Sequence, residues 1–105
     1  MAFGVGAALL DALVLSVAEQ GDTYGYEISQ TLRDRLDVSD STLYPVLRRL
    51  QRDACLECYD KPISGRNRRY YRITEQGCER LRAYRAEWLS YRQSIDTLLR
   101  QEECL

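Results

Sequence analysis

Eight side chains of this sequence carry groups suited to phosphate oxygens and base edges, and they fall into two short runs. Ser41, Thr42, Tyr44, Arg48 and Arg49 form the first; Arg66, Arg68 and Arg69 form the second. Arginine presents a rigid fork of donors that pairs bidentately with phosphate or with the guanine edge, and small hydroxyls reach phosphates as well. The first run sits in the stretch SDSTLYPVLRRL at 39–50, where Leu43, Val46, Leu47 and Leu50 recur at i, i+3, i+4 and i+7. That spacing is one stripe of a helix, and Tyr44, Arg48, Arg49 and Arg52 fall away from it. Ser39, Asp40 and Ser41 are all N-cap candidates, and the free N–H groups at such a start favour an anion. Pro45 removes a backbone donor and disfavours helix at Tyr44, so it belongs near the helix start. The stretch reads as a DNA recognition helix. Taken alone, it is matched by a plainer reading, an amphipathic core helix with arginines on its wet side.

The distribution of charge favours the first reading. The chain of 105 residues has a net charge of −1, too little for a protein that coats nucleic acid by bulk charge. Residues 1–40 hold two arginines against seven carboxylates, a net −5. Residues 41–72 hold eight cations, seven of them arginine, against three carboxylates, a net +5. The remainder is −1. One contiguous third is basic between flanks that are not.

Around the recognition stretch the expected elements follow in order. Residues 6–20 read as a helix whose Leu9, Leu10, Leu13, Val14 and Val17 spread over a face wide enough for two contacts, its own core and a partner. A second helix is expected over 24–35, capped by Asp22 or Thr23, with Ile28 and Leu32 inward. Helix, short turn, helix is the order of a helix-turn-helix unit. Residues 55–59 and 68–73 then alternate as strands around a basic loop at 60–67, which makes a hairpin, or wing, able to reach a phosphate or a minor groove. From Thr74 to about residue 101 runs a long helix. Its Leu81, Tyr84, Trp88, Tyr91, Ile95 and Leu98 step by three and four, an a/d seam for a second copy. The aromatic Tyr84, Trp88 and Tyr91 of that seam, with Ile95, are candidates for an interface that also holds a small aromatic effector. Ordinary interface packing explains them equally well.

Other chemistry is poorly supported. Cys55 and Cys58 are formally a C-x-x-C, but positions three apart on a strand face opposite ways, and Cys78 and Cys104, or carboxylates, would have to complete any zinc site because there is no histidine. No metal or cofactor is expected. The missing histidine also removes the commonest general base, and no phosphate loop or nucleophile elbow is present, so the chain is not expected to be an enzyme. No apolar run reaches the length of a membrane span, and the expectation is a soluble, cytoplasmic protein.

Three runs together resemble the PadR family of bacterial transcriptional regulators: Y-G-Y-E-I at 24–28, T-L-Y-P-V-L-R-R-L at 42–50 and G-R-x-R-R-Y-Y-R-I-T-E-x-G at 65–77. The resemblance implies a winged helix-turn-helix with a single C-terminal dimerisation helix, acting as a repressor released by a small molecule. It also implies that Trp88 lies at the dimer interface beside a pocket for flat aromatic compounds. Ala54 departs from the family, which often has glycine there.

The expected fold is therefore mainly α with a small β-hairpin. Residues 1–73 would be the winged helix-turn-helix and 74–105 the dimerisation helix and tail. The expected function is sequence-specific regulation of transcription by a homodimer on a near-palindromic operator of double-stranded DNA. Two alternatives stand beside it: a winged helix used for protein–protein assembly, and a regulator that responds to oxidation of its cysteines.

Overall fold

A computed structural model describes residues 6–100. Its elements are α1 (Ala7–Glu19), β1 (Thr23–Tyr24), α2 (Gly25–Leu36), α3 (Asp40–Arg52), β2 (Leu56–Ile63), β3 (Arg66–Ile73) and α4 (Glu75–Leu99). The fold is mainly helical with one small antiparallel sheet, ordered β1-β3-β2. Among the described residues no helix is long and apolar enough to cross a membrane. Cys104 lies outside the described residues.

The core forms where the apolar stripes of the first three helices meet. Val14 and Leu15 of α1, Ile28 of α2 and the whole stripe of α3, Leu43, Val46, Leu47 and Leu50, are each at most 4% exposed. Tyr71 of β3 and Leu56 of β2 close that core from the sheet side. Asp37, between α2 and α3, takes the left-handed conformation (φ 56°) that a short polar side chain tolerates, and so makes the tight turn between them.

Several expectations change in detail. The cap of α2 is neither Asp22 nor Thr23: Tyr24 holds that position without a side-chain bond, and Thr23 belongs to β1. A two-residue strand has no periodicity to read, so only its pairing with Tyr70 and Tyr71 reveals it. The wing also lacks the long loop expected at 60–67. Both strands continue to a two-residue turn, Ser64-Gly65, with φ of 53° and 80°. Positive φ at both central residues is the turn whose twist matches a hairpin. Pro62 reads as a strand breaker, but β2 is an edge strand, where the missing N–H interrupts no ladder.

The winged core does not close without the last helix. Thr74 caps α4 by accepting from the Gly77 N–H at 3.0 Å. The helix then comes so close to the end of α3 that a Cβ at Gly77 would stand 2.3 Å from the Cys55 carbonyl oxygen. Leu81, one turn later, is 1% exposed in the common core. Beyond it α4 runs past α1, which gives the molecule its extents of 63 × 27 × 20 Å.

Candidate nucleic-acid interface and adjoining groove

The first turn of α3 gathers hydroxyls. Ser39 is the N-cap, and its hydroxyl lies 3.1 Å from that of Ser41 and 2.9 Å from that of Thr42. Its carbonyl accepts from the N–H groups of Thr42 and Leu43. Pro45 is the sixth residue of the helix rather than part of its first turn, so the Ser41 carbonyl lacks the donor that would ordinarily meet it four residues on. The entry angle of α3 is held by a bridge to α2: Arg33 pairs with Asp40 at 2.6 Å, and the Ser29 hydroxyl donates to the same carboxylate. Ser29's hydrogen bond, and after it Arg33, hold the Asp40 carboxyl below its ordinary value.

The outer side of α3 then presents Ser41, Thr42, Tyr44 and Arg48, all exposed. Tyr44 is 60% exposed and faces the wing across an open cleft of about 840 Å³ that Arg66, Arg68 and Arg69 also line. The structure thus brings Tyr44 and the three wing arginines around one space. Among the described residues neither Arg48 nor Arg66 has an ion-pair partner. Arg69 is 3.9 Å from Asp60, with both side chains more than half exposed, a pairing worth little. The Arg68 guanidinium lies 4.5 Å from the centre of the Tyr24 ring, which orients it without neutralising it.

Arg49 is the exception among the eight. Its guanidinium turns inward and pairs with Asp11 of α1, whose side chain is 7% exposed. Arg49, expected to meet a base or phosphate, makes an internal ion pair in this structure. Tyr26, conversely, was not among the eight, although it is 65% exposed beside Tyr44 on the same cleft. Its signal in the sequence is an aromatic at the start of α2 that lies outside the Ile28 and Leu32 stripe.

A second concave surface lies between α1 and α4. Leu9, Ala12, Tyr84, Glu87, Trp88 and Tyr91 line a groove of about 470 Å³. Trp88 and Tyr91 are tilted toward each other with ring centres 6.4 Å apart. Ile95, expected with them, is half-buried further along α4 and does not line the groove. Tyr84 is half-buried and donates its hydroxyl to Asp11 at 3.2 Å; burial first, and then that carboxylate, push its phenol above the ordinary range.

Cys55, Cys58 and Cys78 line neither surface. Burial raises the Cys55 and Cys58 thiols above their ordinary value, which lowers the thiolate fraction that oxidation requires.

Comparison with known proteins agrees with this architecture. The model of the PadR-like transcriptional regulator family matches residues 14–83. A transcriptional regulator of Mycobacterium tuberculosis is 34% identical over 89 residues, 84% of this chain and 77% of that protein. A crystal structure from Streptococcus mutans superposes with a TM-score of 0.88 at 34% identity, covering 100% of this chain and 99% of that one. A PadR-like transcriptional regulator of Bacillus cereus superposes with a TM-score of 0.80, also at 34% identity, over 90% of this chain and 93% of its own.

Proposed function

We propose that this chain, which belongs to the PadR-like family of transcriptional regulators, works in the cytoplasm as a homodimeric repressor of a near-palindromic operator. A small aromatic effector in the groove releases it. The observation that carries this reading is the shared cleft, in which Tyr44 of α3 faces the wing's Arg66, Arg68 and Arg69; Arg48, four residues on from Tyr44, is exposed and has no ion-pair partner among the described residues. Ser41, Thr42, Tyr44 and Arg48 meet the major groove and its phosphates, and the wing arginines meet the adjacent backbone. Residues 1–73 bind DNA in this reading, and residues 74–105 pair two copies.

Dimerisation is supported by what α4 leaves uncovered. Trp88 and Tyr91 are 41% and 62% exposed, and Leu98 and Leu99 more so, along the seam and beside it. A second α4 is the natural cover for such a stripe. A symmetric pair would present its two recognition helices to half-sites about 34 Å apart.

The test is binding to DNA from upstream of the protein's own gene, measured against a scrambled duplex over a range of salt. Arg48→Ala is expected to weaken binding about tenfold and to reduce the salt slope by about one. Equal affinity for the scrambled duplex would sink the reading and leave the protein–protein alternative. Quenching of Trp88, the single tryptophan, by flat aromatic compounds tests the effector.

A further inference from the structure

Among the described residues Asp11 is the one charged residue counted as buried, at 5% exposure. It lies on α1, and its two oxygens go to different helices: Oδ1 accepts from Arg49 of α3 and Oδ2 from the Tyr84 hydroxyl of α4. A carboxylate removed from water this far depends on its partners, unlike an exposed pair such as Arg33–Asp40. Arg49 is therefore held where Asp11 can reach it, and the last turn of α3 is held with it. The ring of Tyr84 meanwhile forms part of the groove wall. One side chain thus touches both the groove and the anchor of α3.

A separate clamp sets the far end of α3. Arg80 pairs with Asp53 at 3.0 Å, and the Thr74 hydroxyl donates to the Ala54 carbonyl at 2.6 Å. Neither of these bonds involves a groove residue. Among the described hydrogen-bonded ties between α3 and α4, the one through Asp11 is the one that includes a groove residue.

We propose that Asp11 is a positioning residue for DNA binding: it sets α3 through Arg49, and Tyr84 places that setting under the control of the groove. A ligand that displaces the Tyr84 ring, or takes its hydroxyl as a partner, leaves Asp11 with Arg49 alone and shifts α3. This inference rests on the proposed roles of α3 and the groove. It gives Arg49 a part in DNA binding that involves no phosphate.

Amide NMR spectra of the full chain test the relay with neither DNA nor ligand present. Tyr84→Phe removes one hydroxyl and is expected to shift the α3 amides around residues 48–50, and to leave them unmoved when Asp11 is already Asn. Should Asp11→Asn fail to fold, Arg49→Ala serves as the second background. Equal shifts in both backgrounds, or none in either, overturn the relay. On upstream DNA, Arg49→Ala is expected to lose about tenfold in affinity with an unchanged salt slope, while Arg48→Ala lowers the slope by about one. A slope change at Arg49 as large as that at Arg48 overturns the positioning role. With proflavine, a flat aromatic cation, the Tyr84→Phe protein should still show Trp88 quenching but release DNA at least roughly threefold less than wild type; undiminished release counts against the relay. If the wild-type chain ignores the upstream DNA, the proposed function falls, and the NMR comparison still decides the role of Asp11.

Discussion

The near and far halves of α4 continue one apolar repeat into different surroundings. Leu81 is 1% exposed in the core and Tyr84 packs against it, whereas Trp88, Tyr91 and Leu98 are 41%, 62% and 71% exposed. Steps of three and four therefore identify a face of a helix but not what covers it. The near half finds its cover in α1, because Thr74 and Gly77 bring the helix start against the end of α3. In the far half Trp88 and Tyr91 only wall the groove beside α1, and Leu98 lies outside it.

The largest effects separate the halves. Leu81→Ala is expected to lower unfolding free energy by about 3 kcal/mol, as a fully buried leucine that leaves a cavity. Trp88→Ala should change monomer stability by less than about 0.5 kcal/mol and instead weaken self-association about tenfold. Denaturant unfolding and sedimentation at several concentrations measure the two, and a stability loss at Trp88 equal to that at Leu81 would break the distinction.

Gly77→Ala probes the clamp that fixes the near half. The added carbon meets backbone rather than a flexible side chain, so a loss of about 2 kcal/mol is expected. Ala54→Gly acts on the other side of the same clamp with the opposite sign. Ala54 has φ 62°; its N–H bonds to the Gln51 carbonyl, and the next N–H, of Cys55, bonds to the Leu50 carbonyl, the double bond that closes a helix with a left-handed residue. Glycine adopts that conformation without the Cβ conflict, so the melting midpoint should rise, by about 1 kcal/mol in stability.

The smallest effect lies away from α4. The Asp40 carboxyl is held below its ordinary value in the folded chain, so the unfolded chain binds the proton more readily. Its contribution is present above the unfolded carboxylate range and is lost as pH falls from about 4 toward the folded value. Asp40→Asn should therefore make the acid-side loss of stability shallower while leaving dimerisation unchanged; an acid limb of the same steepness would show that the Ser29 and Arg33 contacts add nothing.

Arg48 and Arg49 repeat the lesson of α4 on the scale of one residue. Neighbours on a helix differ by about 100° of rotation, enough to send one guanidinium outward and the next toward Asp11. The sequence has arginine at both positions, and the carboxylate that separates them stands 38 residues earlier.

Local rules read from the sequence determined a good deal of this protein. The α3 stripe, the start of α4 at Thr74 and the basic third of the chain depend on neighbours within a turn or on composition, so spacing and residue type are enough to find them. The three family motifs are legible for the same reason. Only the tertiary structure decided that β1 joins the sheet, that Pro62 is tolerated on an edge, that the near half of α4 completes the core and that Arg49 faces inward. Three of these depend on a partner far away in the chain, and Pro62 on the position of β2 at the edge of the sheet; long-range arrangement leaves no period in the residues that make it.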